Sequence, residues 1–567
     1  MCADRNETTT SMASGAFLAI SLRVIDFVQR RRRWCLAGLL AAIAVCSAFH
    51  FKSYWYISRD SSQYVGFARN YVNGEGFQWY GTSYGHRPVL MSVIYIPAFL
   101  LPDNPVVNIQ IIQLLALFGV TLLTYATLRR FESPAVSLVV ASMTGLNLSF
   151  VKVGSFLLSE IVYTAAVMGA IYVATFIFNS KRSSAAMMGT ALLCACAALT
   201  RVIGVTLGVA IIPLALFSPG ARLWGWGTRI RAAVLGVTLF AAPFFIWFHY
   251  NASQPRPEFY SGQETSYIEI LTGPKDDSGF SVHNLVARAY QSAPRVIESI
   301  FQSAFSVAYR MRNRNNQWLW PGNMLAVPYA IAVFLGWWRR MRSEGGLMEW
   351  YFTLYIAILL IWPCDEGDRL MTPMVPLCWY YSCISLRSWV AGSARIVWPA
   401  VVAVLLASSV CVIIADGLAS YREFRPIAQA RDSIESMGTY LNHRTDVPGG
   451  KIRLWMQSER TCHILRLLTN RPLLAYQNKL GLQGVMDKSD AENASLLVLD
   501  FGTRNPTTPP ERLSGVKGDQ WRQVFSSGPL FAYEHSPGAA KPAGQAPPDG
   551  FKLLAQYLGG STGARNY

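Results

Sequence analysis

The chain has 567 residues, of which 52% are hydrophobic and 15% charged, with a formal net charge of +17. Ordinary globular domains carry about 25% charged residues, so the composition excludes a soluble chain; its 13% aromatic content excludes disorder, and ten cysteines at this length exclude a disulfide scaffold. Lys and Arg fall in short clusters between apolar runs, the habit of cytoplasmic loops in a polytopic membrane protein and not of a nucleic-acid partner.

Residues 1–33 read as cytoplasmic, with 15–28 lying as a helix on the membrane surface. Arg30-Arg31-Arg32-Arg33 precede the first apolar run, 34–51, and hold the N-terminus inside; no cleavage site follows. Further runs at 106–128, 135–150, 161–178, 185–199, 202–217, 232–248, 318–338, 350–361, 370–386 and 396–415 bring the expected count to eleven transmembrane helices. Alternation then places Arg129/Arg130, Lys181/Arg182, Arg222/Arg229/Arg231, Arg339/Arg340/Arg342 and Arg387/Arg395 all inside.

Two loops, 52–104 and 250–317, and the region 416–567 fall outside the cytoplasm. Strand-like runs at 452–456, 495–500 and 530–533 flank a helical stretch at 458–468, which predicts a small extracytoplasmic α/β domain. From about residue 536, Pro, Gly and Ala predict a loose tail. Most cysteines sit in apolar runs as small hydrophobes. Cys364 and Cys462 fall outside the cytoplasm, and nothing demands that they pair.

Charges at membrane-helix ends are costly enough to be informative. Asp60, Arg87, Glu160, Arg201 and Arg369 all lie at or beside the ends of apolar runs, and the topology gathers them on the outer face. Asp60 also reads as a helix N-cap, since an amphipathic stretch follows it to Tyr71 and breaks at Gly74 and Gly76. The run 88–101, with Pro97 inside, is short for a span and reads as interfacial or re-entrant. Arg310, Arg312 and Arg314 form either a solvated loop face or an attractor for anionic acceptors or lipid head groups. His86, His249, His283 and His463 lack the spacing of a metal site, and the Asn-x-Ser/Thr triplets at Asn6, Asn147, Asn251 and Asn493 are what chance gives.

Asp60 followed by Tyr64, Ala68, Gly74 and then Arg87-Pro88-Val89-Leu90 resembles the first outer loop of the GT-C membrane glycosyltransferases. The resemblance is to the dolichyl-phosphate-mannose protein mannosyltransferases and the lipid A aminoarabinose transferases. Ser61 stands where that pattern has a second acid, and Arg87-Pro88-Val89 where it has Lys-Pro-Pro. Leu158-Ser159-Glu160, Leu199-Thr200-Arg201 and Arg369-Leu370-Met371-Thr372-Pro373-Met374-Val375-Pro376 resemble its later motifs, in order, with Leu370 in place of Tyr.

This resemblance implies a GT-C fold and transfer of a hexosyl or pentosyl unit from a polyprenyl-phosphate-linked donor to a lipid, glycan or protein acceptor on the extracytoplasmic face. It implies inversion, with Asp60 as general base, and Arg87, Arg369 and Arg201 on the lipid phosphate. Tyr64 and Glu160 would contact donor sugar or acceptor. Glu160 has other readings: an orienter of arginine, a metal ligand with Asp60, or a structural partner of Arg201. No cofactor is certain, and a divalent metal is left open. A bacterial inner membrane suits the chain. The alternatives are a lipid-linked-glycan flippase, which wants polar residues at mid-membrane, and a polysaccharide polymerase or ligase, which does not need the Asp60 motif.

Overall fold

The computed structural model describes residues 27, 29–78, 87–178, 183–254, 282–312, 321–362, 369–389, 397–447, 452–455, 459–470, 473–476, 494–500, 521–527 and 530–535. The surface helix expected at 15–28, Cys364, Arg314 and the tail from 536 fall outside these, residue 27 apart.

Helix α1 (Arg32–Ala48) starts inside the arginine run and turns Leu39, Ile43 and Cys46 inward. An extended stretch leads to α2 (Arg59–Val72), and α3 (Leu90–Leu100) follows with Pro97 inside it. Helix α4 (Pro105–Leu128) opens on Asn104, whose side chain accepts from the Val106 N–H at 2.9 Å. The span expected at 135–150 is instead two helices, α5 (Pro134–Gly145) and α6 (Leu148–Ser155), bent by 41°. Asn147 causes the break: it accepts from Ser149 N–H at 2.8 Å to cap α6 and donates to the carbonyls of Ser303 and Ala304.

After α7 (Glu160–Ala174) and α8 (Ser183–Thr200), the expected run 202–217 is a 3₁₀ turn and two short helices, α9 (Val205–Val209) and α10 (Ile211–Phe217). Helix α11 (Trp226–Ser253) follows. The expected loop 250–317 contains α12 (Val282–Ala304) and α13 (Ser306–Arg312); α12 buries Val296, Ile300, Phe301 and Ala304 along one face. Then come α14 (Pro321–Ser343), α15 (Leu347–Ile361), α16 (Val375–Trp389) and α17 (Val397–Gln429), which runs well past the span end expected at 415.

Among the described residues, four helices are long and apolar enough to cross a membrane: Pro105–Leu128, Ser183–Thr200, Trp226–Ser253 and Ala400–Gln429, or five spans if the bent pair counts as one. The basic connections gather at one end of the bundle. Arg340 lies over the Phe131 ring at 4.4 Å, Arg387 meets Glu132 at 3.3 Å, and Arg130 lies over Phe176 at 4.6 Å.

Helices α14 and α16 approach so closely that a Cβ on Gly336 would sit 1.9 Å from the Tyr381 carbonyl oxygen. Gly336→Ala must part the two helices, and we expect a loss of about 1–3 kcal/mol, read as a lowered melting temperature of the full chain in lipid.

Helix α18 (Arg431–His443) leads into β1 (Ile452–Trp455), α19 (Glu459–Thr469), β2 (Leu474–Tyr476), β3 (Leu496–Asp500), β4 (Trp521–Ser527) and β5 (Leu530–His535). The sheet order is β2-β1-β3-β5-β4, parallel through β2, β1 and β3 and antiparallel at β5 and β4. This α/β unit rests on α2: Arg69 donates to the Leu467 carbonyl at 2.7 Å. Arg460 lies 3.5 Å from the centre of the Tyr56 ring and 4.9 Å from that of Phe156.

Candidate functional site

Asp60 is not the helix cap. Ser58 is: its hydroxyl accepts from Ser61 N–H, and the Ser61 hydroxyl accepts from Ser58 N–H at 2.7 Å, a capping box. Ser61, which replaces the second acid of the resembled pattern, is thereby committed to starting the helix. Asp60 sits in the first turn, where the helix N-terminus favours its negative charge. Its carboxylate is turned into the protein, with the residue 7% exposed.

Four more segments converge on Asp60. Arg87, from the turn before α3, donates to Oδ1 at 2.7 Å. Arg369, before α16, reaches Oδ2 with Nη1 at 2.6 Å and donates from Nε to Glu160 Oε1. Arg201, after α8, reaches the same Glu160 oxygen at 2.5 Å. The chain can leave α8 there because Gly204 lies against its last turn; a Cβ would come within 2.6 Å of the Ala197 carbonyl carbon. Tyr64 and Arg201 both reach the Ser159 hydroxyl, at 3.3 and 3.4 Å. Three guanidinium groups thus bind two carboxylates in the order Arg87, Asp60, Arg369, Glu160, Arg201.

Burial alone would raise the Asp60 carboxyl, but Arg87, Arg369 and Arg201 outweigh it and hold the group well below the usual carboxylate range. Burial raises the Tyr64 phenol, and the Asp60 charge raises it further. Glu160 is fully buried, and among the described residues its Oε2 has no hydrogen-bond partner. A buried acceptor left unmade is costly, so this oxygen suits an incoming hydrogen-bond donor. A divalent cation would have to compete with the arginines for the other carboxylate oxygens. Among the described residues no three of His, Cys, Asp and Glu come together as a metal site.

Glu160 is aimed by the turn before it. Helix α6 ends in a Schellman motif: Leu157 N–H donates to Gly154 O at 3.0 Å and Leu158 N–H to Val153 O at 3.3 Å. The left-handed position, usually glycine, is Leu157 at φ +56°, which costs roughly 1–2 kcal/mol. Its carbonyl accepts from the Tyr95 hydroxyl at 2.9 Å, and the Leu158 carbonyl accepts from Gln113 Nε2 at 2.7 Å.

The structure therefore brings together all six residues singled out from the sequence: Asp60, Tyr64, Arg87, Glu160, Arg201 and Arg369. It also realises the structural pairing of Glu160 with Arg201. Arg310 is elsewhere, donating to the Ala415 carbonyl and lying 4.0 Å from Asp416, so it is tied to α17 and not to open solvent. Tyr95, Gln113, Ser159 and Arg460 were not assigned roles from the sequence. A signal existed for Gln113: Asn108, Gln110 and Gln113 are polar residues within an apolar run.

No protein-family model matches the chain, and no curated protein matches it. Among solved structures it is similar to the oligosaccharyltransferase of Archaeoglobus fulgidus tethered to an acceptor peptide. The identity is 10%, the match covers 90% of this chain and 75% of that one, and the TM-score is 0.50. It is also similar to ArnT from Cupriavidus metallidurans in the apo state, at 14% identity, 89% and 99% coverage and a TM-score of 0.49. These are GT-C superfamily glycosyltransferases, and the fold of the chain is the GT-C fold.

Proposed function

We propose that the chain is a membrane glycosyltransferase that moves a sugar from a polyprenyl-phosphate-linked donor to an acceptor on the extracytoplasmic face, with inversion and with Asp60 as general base. The observation that carries this reading is the buried network in which Arg87, Arg369 and Arg201 surround Asp60 and Glu160. The leaving group is a lipid phosphate, and fixed guanidiniums facing its developing charge are what its departure needs. The acceptor hydroxyl or amine needs a base within hydrogen-bond reach.

A carboxylate held so far below its usual range is a weak base. The incoming phosphate removes that obstacle by competing for Arg87 and Arg369. As they turn to the donor, Asp60 is left to accept the acceptor's proton. The Glu160 Oε2 atom takes a sugar hydroxyl, and Tyr64 lines the same place through Ser159. A single displacement from the face opposite the phosphate gives inversion.

The topology belongs to the same proposal. Eleven spans need Arg32–Ala48, Glu160–Ala174, Val202–Phe217, Pro321–Ser343, Leu347–Ile361 and Val375–Trp389 to contribute beside the four long helices and the bent pair. Gathering of the basic connections at one end, and of Asp60 with its arginines at helix ends, supports an N-terminus in the cytoplasm and an α/β unit outside it. A bacterial inner membrane suits this arrangement, with membrane lipids around the bundle and a lipid, glycan or protein acceptor on its outer side.

The test is purified full-length protein in lipid, incubated with a panel of polyprenyl-phosphate sugars, following release of free polyprenyl phosphate. Release with one donor supports the reading and names the sugar. Carrier movement across the bilayer without release would replace it with a flippase.

A further inference from the structure

The turn that aims Glu160 into the site is not self-sufficient. A leucine occupies its left-handed position, and the two carbonyls it exposes, those of Leu157 and Leu158, cannot be reached by water in a packed interior. Both are held from one side by two neutral side chains outside the ion network. Gln113 Nε2 donates to the Leu158 carbonyl at 2.7 Å and to the Tyr95 hydroxyl at 2.6 Å, and that hydroxyl donates on to the Leu157 carbonyl at 2.9 Å. The relay has one direction only, since reversing the amide would set Oε1 against the Leu158 carbonyl oxygen. Each group polarises the next. Tyr95 and Gln113 are both buried, on α3 and α4.

We infer that Gln113 and Tyr95 are positioning residues, clamping the Leu157–Leu158 turn so that Ser159 and Glu160 enter the site at the height where Arg201 and Arg369 meet them. The inference rests on the proposed transferase reading for its consequence but not for its geometry. Ser159 has no side-chain cap of its own on α7, its hydroxyl facing Tyr64 and Arg201 instead. The start of α7 therefore takes its place from the turn. A loosened turn moves the carboxylate that Arg201 and Arg369 share, and displacement by about an ångström at a reacting centre is enough to cost a hundredfold in rate.

The variants are Gln113→Met and Tyr95→Phe, each close to its parent in shape and lacking its hydrogen-bonding group. A cavity of 20 Å³ beside Gln113, lined also by Ser47 and His50, lets the methionine enter without overpacking. Two measurements are made on the full chain in lipid. In hydrogen exchange, the amides of residues 157 and 158 should exchange about tenfold faster in either variant while the centres of α4 and α7 stay as they were. In steady-state release of polyprenyl phosphate, kcat should fall by about tenfold to a hundredfold, with KM for the donor within about threefold. The double variant should be no slower than the worse single one, because both act on the same turn.

Unchanged exchange at 157 and 158 would overturn the clamp whatever the protein does. Faster exchange with unchanged kcat, or an effect on KM alone, would overturn the positioning role. Wild type that releases nothing from any donor would overturn the transferase reading, while the exchange data still decide the clamp.

Discussion

Asp60→Asn should reduce the rate of transfer by about a hundredfold to ten-thousandfold, the span general-base removal produces, and should lower the melting temperature, because it removes the Asp60 charge from a buried ion network. The substitution keeps the shape of the side chain and removes its charge. Arg87 and Arg369 then lose their anionic partner at 2.7 and 2.6 Å and turn to the donor phosphate, so KM for the donor should fall or stay level while kcat collapses. Polyprenyl phosphate release, measured at several donor concentrations, separates the two. Equal kcat in both proteins would remove Asp60 from the chemistry.

The pH profile follows from the same contacts. Asp60 has a depressed folded-state value, so it contributes stability above the unfolded carboxylate value of about 3.9. That contribution is lost only as pH falls through the lower folded value. The free enzyme should keep its base ionised, and kcat/KM should stay flat down to about pH 5. In the donor complex the phosphate has taken the guanidiniums, so the acid limb of kcat should sit at higher pH than that of kcat/KM. Coincident limbs would show that the donor does not draw the arginines away.

Arg369→Lys should cost about a hundredfold to a thousandfold in kcat/KM, the scale of one lost oxyanion donor. Arg369 spans the two carboxylates with different nitrogens, Nη1 to Asp60 and Nε to Glu160. A lysine ammonium is a point charge and cannot reproduce that span. Glu160 would keep Arg201, and Asp60 would keep Arg87, so the protein should fold. Arg369→Ala removes the shared cation from a buried network and should also destabilise by about 3–5 kcal/mol, visible as a drop in melting temperature that the lysine variant does not share. Lysine activity within a few fold of wild type would mean that charge alone suffices at this position.

These groups were legible in the sequence for an energetic reason. A charge at the end of an apolar helix is expensive and so stands out against its surroundings, and alternation of the spans predicts which ends meet. Tyr95 did not stand out, because it is neutral and donates to a backbone carbonyl that no side-chain pattern records; Gln113 stood with Asn108 and Gln110 as polar residues in an apolar run, but the carbonyl it holds was not legible. The break between α5 and α6 was hidden for the opposite reason: Asn147 lay in plain view in an apolar run, but its capping role depends on Ser303 and Ala304, far along the chain. Run length also missed α12, whose apolar face repeats at helical spacing within a stretch too polar to register as a span. In the C-terminal unit β1, β3 and β5 coincide with the expected runs, whereas β2 has three residues and β4 mixes polar with aromatic ones.

The helices nearest the ion network are short. Helix α7, which begins at Glu160, and α15 each have 15 residues, and α3, which follows Arg87, has 11. At 1.5 Å per residue these cover about 22 Å and about 16 Å, against a hydrocarbon layer about 30 Å thick. On the proposed reading, lipid beside α3, whose Val93 and Leu100 are exposed, thins to meet it and draws head groups and water inward on that side. An isoprenoid-linked donor arriving there would present its phosphate near the depth of Asp60. Vesicles of shorter acyl chains should then support faster turnover than those of longer ones.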